Sequence, residues 1–304
     1  VDDRLRVFLM VSECKSFSKA AELLPMSQPA VTQSIKSIER DLNVQLFDRS
    51  HRSVRLTRAG EIVLAYAEQM NRLDFQMRSV LQELTTGISG VFSVGASFTY
   101  GEYVLPRLLA EFQLEHPDVI PRVTIGNSQT IESLLHDGKL DLGIIEANPK
   151  LAGLSQSPLF SDRLYVVRSG KVDHGHLQSH SSSTFKDQTW LVRETGSGTR
   201  QVFDLWQSEV EMTPQRLIEL GSTQAIKEGV AAGLGIAILS ELSIQQELHQ
   251  GVFEIAEIPG FPRERKFTLL SVKNAFEPMV VKAYRNFTMA WGHPVIHALQ
   301  DKKE

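Results

Sequence analysis

The sequence predicts an α/β chain with an all-α, winged-helix N-terminal domain. Three observations predict it. Residues 16–58 read as a helix, a short turn, a second helix and a basic hairpin. Residues 61–84 hold neither Pro nor Gly and place an apolar side chain every three or four positions, the period of one long amphipathic helix. From residue 90 onward, short apolar runs alternate with amphipathic stretches. That order is typical of strands joined by helices in parallel sheets.

In the head, Ala20, Ala21 and Leu24 share one helical face, and Ser16 or Ser18 can cap that helix. Pro25 and Met26 break it. Ser27 then stands as an N-cap with Pro29 just inside, a strong helix start. Ala30, Val31, Ile35 and Ile38 are expected in the core, leaving Gln28, Thr32, Gln33, Ser34, Lys36 and Ser37 outside. A hydrogen-bonding outer face with a single positive charge suits base edges and phosphates in a major groove. The expected DNA-contacting set is Ser27, Gln28, Pro29, Thr32, Gln33 and Lys36, with Arg49 and Arg52 at the hairpin wing.

The long helix carries Ile62, Tyr66, Met70, Leu73, Met77, Val80 or Leu81, and Leu84 in one stripe, over about 36 Å at the usual rise. Such a stripe needs a cover. The chain's own body is one candidate; a second copy, meeting it through Tyr66, Met70, Leu73 and Met77, is the favoured one. Thr85, Thr86, Gly87, Ile88, Ser89 and Gly90 follow as a joint.

Beyond it, strands are expected over residues 91–96, 122–125, 140–145, 163–167, 190–192, 217–220, 235–239, 253–255 and 267–272. Helices are expected over 102–115, 130–137, 200–208, 224–232, 241–249 and 278–291. This run is too long for one small sheet, so two lobes are expected, with the chain crossing near 162–168 and 263–267. The resulting division is 1–58 for the winged head, 59–89 for the linking helix and hinge, and 90–304 for the body. Lobe 1 takes about 90–162 and 267–304, and lobe 2 about 163–266.

The head resembles the LysR-type family of bacterial transcriptional regulators. The matching residues are Ser16, Phe17, Ser18, Ala20, Ala21, Leu24, Ser27 to Val31, Ile35, Ile38, Glu39, Leu42, Leu46, Phe47, Arg49, Arg52, Leu56, Thr57, Ala59 and Gly60. Thr32 stands where the family more often has Ser, and Asn43 where it usually has Gly. Thr keeps the hydroxyl, and Asn tolerates the left-handed conformation of a helix end. The body carries further matches: Tyr103-Val104-Leu105-Pro106, Gly126-Asn127-Ser128, Leu140-Asp141-Leu142-Gly143, Gly196-Ser197-Gly198-Thr199-Arg200 and Glu219-Leu220-Gly221-Ser222-Thr223. They are similar to the branch that includes regulators of carbon fixation and of sulfur assimilation.

The resemblance implies double-stranded DNA as partner and a homodimer or homotetramer as working form. It also implies a body like periplasmic solute-binding proteins, with a small effector in the cleft between its lobes. RNA polymerase is a further candidate partner; no cofactor, metal or catalytic activity is implied. The chain opens at Val1 without an initiator Met, which leaves room upstream for part of the first helical turn.

Three strand-to-helix turns carry hydroxyls, and in an open parallel sheet such turns line the binding crevice. The expected effector contacts are Ser97, Thr99, Tyr100, Ser128, Thr199 and Arg200. Free N–H groups at helix starts and the Arg200 charge favour an anionic or carboxylate ligand; plain helix capping is the alternative use of these hydroxyls. Glu146, just after a buried strand, reads equally well as a hinge hydrogen bonder or an ordinary strand-end carboxylate.

Other signals exclude. Gly233-Leu234-Gly235 follows a helix and enters a strand, the reverse of a dinucleotide loop. His174, His176 and His180 lack a nearby Cys or carboxylate set and do not read as a metal site. No Gly-x-Ser-x-Gly elbow accompanies the Ser, His and Asp residues. These absences argue against an α/β enzyme with an accessory head. A transporter's solute-binding protein is disfavoured by residues 1–60 and by the lack of a leading basic-apolar signal. With no long apolar run, the cytoplasm is the expected location and no membrane contact is expected. A lone Cys14 allows no internal disulfide.

The net charge of −4 becomes informative when divided. Residues 1–60 hold ten Lys and Arg against seven Asp and Glu, while the remainder holds 22 against 29. A basic head on an acidic body fits local contact with DNA.

Overall fold

The computed structural model describes residues 2–48, 54–171, 185–273 and 277–291. The chain forms two compact units, Val1–Gly87 and Ile88–Glu304.

In the first unit, α1 (Asp3–Cys14), α2 (Phe17–Leu23) and α3 (Gln28–Leu42) precede a two-stranded wing, β1 (Phe47–Asp48) and β2 (Arg55–Leu56). The long α4 (Arg58–Thr86) follows. Of the two candidate caps, Ser16 is the one used, accepting from Lys19 N. Ser27 accepts from Ala30 N at the start of α3, which ends on Asn43 at φ 53°, so Asn fills the left-handed position at tolerable cost. Val7, Phe8, Val11, Ala20, Val31, Ile35, Leu46 and Phe47 form the core. Ala30 is only half-buried, not a core residue as expected. The core also takes in Ala59, Val63, Leu64 and Ala67, so the first turns of α4 pack with the head. Wing and recognition helix are tied by Glu39, whose Oε1 accepts from Leu46 N (2.9 Å) and Phe47 N (3.3 Å).

The second unit is a sheet read in the order β4 (Val119–Gly126), β3 (Gly90–Ser97), β5 (Leu142–Ile145), β11 (Arg263–Val272), β6 (Leu154–Ser169), β9 (Ile236–Ser240), β7 (Thr189–Val192) and β8 (Arg216–Glu219), with β10 (Phe253–Ile255) paired to β6. Lobe 1 uses β3 (Gly90–Ser97), β4 (Val119–Gly126) and β5 (Leu142–Ile145), which are parallel. Its helices are α5 (Phe98–Tyr103), α6 (Leu105–Glu115), α7 (Ser128–His136) and α11 (Met279–Trp291). Lobe 2 uses β7 (Thr189–Val192), β8 (Arg216–Glu219), β9 (Ile236–Ser240) and β10 (Phe253–Ile255). Its helices are α8 (Gly198–Glu209), α9 (Thr223–Ala231) and α10 (Glu241–His249).

Two long antiparallel strands, β6 (Leu154–Ser169) and β11 (Arg263–Val272), belong to both lobes. Apolar clusters cover both faces of each half: Phe92, Tyr100, Phe112 and Tyr284 against Ile131, Leu135 and Leu154 in lobe 1. In lobe 2, Trp190, Phe203 and Trp206 oppose Leu191, Ile226 and Phe253. Fully burying one such side chain stabilises by about 1.5–3 kcal/mol, so each lobe has a substantial core of its own.

Two expected elements are corrected as well. The helix expected over 102–115 is two, α5 and α6, because Pro106 in the first turn of α6 cannot continue a preceding helix. The strand expected over 163–167 runs over sixteen residues. Pro158 disguises its first half, since a Pro inside a run argues against a strand; it is seated opposite Thr268, beside a register shift between Lys266 and Thr268.

Candidate nucleic-acid interface and interlobe site

On α3 the side chains expected to meet DNA are solvent-facing: Ser27, Gln28 and Pro29 are exposed. So are Gln33 and Lys36, whereas Thr32 is half-buried. Gln28 Nε2 donates to Thr32 Oγ1 (3.2 Å), and Thr32 Oγ1 donates to the Gln28 carbonyl (3.0 Å). The two therefore present one coupled polar patch. Arg49 and Arg52 lie outside the described residues. On α4, Tyr66, Met70, Leu73 and Met77 are 49–64% exposed, and Ile62 and Leu81 extend the same stripe.

The interlobe site is organised by Arg265, a residue the sequence reading did not single out. It is buried on β11, opposite Asp162 on β6. Its Nε donates to Asp162 Oδ2 (2.8 Å), Nη1 to Thr199 Oγ1 of lobe 2 (3.0 Å) and Nη2 to Thr99 Oγ1 of lobe 1 (3.0 Å). Nη2 also lies 2.7 Å from Asp162 Oδ2 and 3.2 Å from Glu146 Oε2. One guanidinium thus joins both lobes, both crossing strands and the end of β5. Asp162 also accepts from Ser240 Oγ (2.7 Å). Burial pushes the Asp162 carboxyl up from the usual range despite the Arg265 guanidinium beside it. Arg265, although burial disfavours its charge, is held above its ordinary value by Glu146 and Asp162. Glu146 is buried in this cluster as an ion-pair neighbour of Arg265.

Of the expected effector contacts, four surround this hub. Thr99 and Thr199 bind Arg265 directly. Ser128 is buried, and its hydroxyl accepts from Glu146 N (3.4 Å); the cap of α7 is its neighbour Asn127. Ser97 is buried at the N-cap of α5 but makes no cap bond. Ser197 does the same at the start of α8. Neither hydroxyl has a hydrogen-bond partner among the described residues, a condition that costs about 1–3 kcal/mol per buried group. The capping alternative therefore fails for these two serines.

Tyr100 and Arg200 are corrected. The Tyr100 ring sits in the lobe 1 core, 5.2 Å from the Phe267 ring and 6.0 Å from that of Phe160. One residue past Thr99 on a helix, it points about 100° away. Arg200 turns from the hub to Asp204 (2.8 Å), Glu219 (3.0 Å) and the Arg193 carbonyl (3.0 Å). Burial works against its charge, but those two carboxylates hold it protonated.

The lobes touch closely around the hub. Gln129 N donates to the Gly196 carbonyl (3.2 Å), and Asn127 Nδ2 to Glu194 Oε1 (3.1 Å). A Cβ on Gly198 would stand 2.5 Å from Glu146 Cγ and 2.8 Å from its backbone, so only glycine lets α8 approach β5. On the flank, Arg193 lies 4.4 Å above the Phe98 ring and holds Glu194 through Nε (2.7 Å) and Nη2 (2.9 Å). Burial would raise the Glu194 carboxyl, but Arg193, a backbone N–H and Asn127 together hold it below the ordinary range. Lys227 Nζ binds Glu247 Oε1 (2.8 Å) and Tyr103 Oη (3.3 Å), reaching from lobe 2 to lobe 1.

Sequence reasoning missed Arg265 and Asp162, yet a signal existed. Phe160, Asp162, Leu164 and Val166 alternate inward on β6, as do Arg265, Phe267 and Leu269 on β11. A charge in phase with an inward-facing run is a candidate buried group.

A winged helix-turn-helix head and a two-lobed α/β body with a polar hub between its lobes define a ligand-responsive DNA-binding regulator. Two family descriptions match: a bacterial regulatory helix-turn-helix protein of the lysR family over residues 3–61, and the LysR substrate binding domain over 85–292. The chain belongs to the LysR family of transcriptional regulators. It is 31% identical over 268 residues to the HTH-type transcriptional regulator CysL of Bacillus subtilis, covering 88% of this chain and 90% of that protein. To the regulator CfxR of Cupriavidus necator it is 31% identical, covering 86% and 82%.

Among solved structures, CbnR complexed with its target DNA superposes with a TM-score of 0.72 at 21% identity, over 95% of this chain and 99% of that one. The regulatory domain of Synechocystis CcmR in complex with 2-PG gives 0.62 at 24%, over 68% and 99%. Both named relatives are transcriptional regulators. Among the described residues, no helix is long and apolar enough to cross a membrane.

Proposed function

We propose that this regulator reads an operator through Gln28, Thr32, Gln33 and Lys36 on α3, with Ser27 and Pro29 at the helix start and Arg49 and Arg52 on the wing. It responds to a small anionic metabolite held between the lobes by Ser97, Thr99, Ser128 and Thr199. The carrying observation is the hub: Arg265 bonds a hydroxyl from each lobe at 3.0 Å. A ligand that competes for those hydroxyls, or adds to them, must change the balance between open and closed lobes. The anion reading is supported by the unpartnered Ser97 and Ser197 hydroxyls and by the 2-PG bound to the CcmR domain. Arg200, tied to its own carboxylates, drops out of the proposal.

The exposed stripe Tyr66, Met70, Leu73 and Met77 is covered by a second copy of the chain, giving a dimer and, by pairing of dimers, a tetramer. A regulator of this kind works in the cytoplasm, on double-stranded DNA, with RNA polymerase as the further partner. Measuring operator binding against salt, with and without 2-PG as probe, tests the reading. Affinity should fall steeply as salt rises and shift when the ligand is added; indifference to salt ends the proposal. Leu73→Asp should yield monomers in sedimentation and weaken operator binding, whereas an unchanged oligomer removes α4 as the seam.

A further inference from the structure

We infer that the ligand taken between the lobes is an anion carrying its own hydrogen-bond donor, a hydroxy or amino acid rather than a plain oxyanion, and that Glu146 selects for that donor. The inference deepens the interlobe reading above and rests on it.

Three buried polar atoms near the hub lack a hydrogen-bond partner among the described residues: Ser97 Oγ from lobe 1, Ser197 Oγ from lobe 2, and Glu146 Oε2 at the end of β5. They are chemically unequal. A serine hydroxyl can donate, so both suit the acceptor-rich end of a ligand. Ser197 also opens α8, a twelve-residue helix, whose first N–H groups add to the attraction for an acceptor. An ionised carboxylate oxygen can only accept.

Arg265 gives Glu146 Oε2 an ion-pair contact but no aligned hydrogen bond. Its Nε, Nη1 and Nη2 donate to Asp162, Thr199 and Thr99. Glu146 Oε2, 3.2 Å from Nη2, is an ion-pair neighbour and still has no aligned donor. The charge count points the same way. One guanidinium faces two carboxylates, and Asp162 takes the shorter contact, 2.7 Å, as well as the Ser240 hydroxyl. Glu146 Oε2 is thus the acceptor left open. A donor-free oxyanion would leave that acceptor unpaired in a buried site, while a hydroxyl or ammonium would meet it. A site built around a buried acceptor discriminates strongly against analogues that leave it unpaired.

The test is isothermal titration of the full chain with matched acids: lactate, alanine and propionate; malate, aspartate and succinate; and sulfate. In at least one series the hydroxyl or ammonium member should bind tenfold or more tighter than its plain partner, with sulfate among the weak binders. Which of the two wins identifies the donor. Glu146→Met should bring the ratio within about threefold by removing a charge-assisted bond. Ser197→Ala should weaken every member alike and leave the ratio intact; this variant and the wild-type ratios decide the matter if Glu146→Met does not fold. Equal binding within every series, no binding in any, a preference for sulfate or succinate, or a ratio that survives Glu146→Met each overturns the inference. Operator binding that shifts with 2-PG while no series discriminates would leave the interlobe reading standing and remove only this step. Operator binding indifferent to salt and to every compound would remove both.

Discussion

The α3 face and the interlobe hub are both polar, and they use polarity in opposite ways. On α3, Gln28 and Lys36 stand in solvent, where leaving a hydrogen-bonding group free of protein costs nothing. On the proposed reading, the capacity that the Gln28–Thr32 bond leaves over is kept for DNA. At the hub, Arg265, Asp162 and Glu146 are buried, so each must find its partner within the protein or lose stability. An exposed polar face can therefore change without unfolding anything. A buried one is structure first and, on the proposed reading, sensor as well.

The sharpest way to break this contrast is Arg265→Ala. It strands Asp162 and Glu146 without their counter-charge, and losing one partner of a buried pair costs about 3–5 kcal/mol. Chemical denaturation should show that loss; a drop below 1 kcal/mol would mean that the hub is wetter than its burial implies. Next is Gly198→Ala, where the added methyl meets Glu146 at 2.5–2.8 Å. Overpacking of this kind costs about 1–3 kcal/mol, here charged to the closed lobes. Small-angle scattering should show a more open body, and an unchanged profile would deny that this contact limits closure.

On the head, Gln28→Ala or Thr32→Ala should each cost about 1–3 kcal/mol of operator discrimination while moving stability by no more than about 0.5 kcal/mol. Because the two side chains are hydrogen-bonded to each other, the double variant should lose less than the sum. Competition between operator and random DNA measures both effects, and full additivity would contradict the coupled patch.

The smallest effect concerns protons. Burial raises the Asp162 carboxyl, so its protonated form is favoured by folding. Its contribution is complete at low pH, below the unfolded carboxylate value, and is lost as pH rises through the raised folded value. Between about pH 4, the ordinary Asp value, and neutrality, the wild type should lose stability from this group as pH rises. Asp162→Asn, which cannot titrate, should lose less over the same interval. Identical slopes in denaturation series would return Asp162 to an ordinary pKa.

Much of this was legible in the order of residues. Ser27 with Pro29 fixed the start of α3, because a side-chain cap and a ring that needs no N–H partner act locally. The hydroxyls Thr99, Ser128 and Thr199 could be placed because strand-to-helix turns line the crevice of a parallel sheet. Tyr100 and Arg200 were misplaced because a turn gives the position of a residue, not the direction of its side chain. The partners of Arg265 and Asp162 were not legible, because they depend on which residues face each other across β6 and β11.

The sequence by itself thus determined the periodicities and caps, and with them the winged head, the long helix with its uncovered stripe and the alternating α/β body. Each follows from interactions within a few residues along the chain. Tertiary structure alone decided that Arg265 meets Asp162, Thr99, Thr199 and Glu146, groups that lie up to 166 positions away. Their pairing depends on the register of two crossing strands and the approach of two lobes. No local pattern encodes such a meeting, because the energy that selects it arises only when burial removes water from all of these groups together.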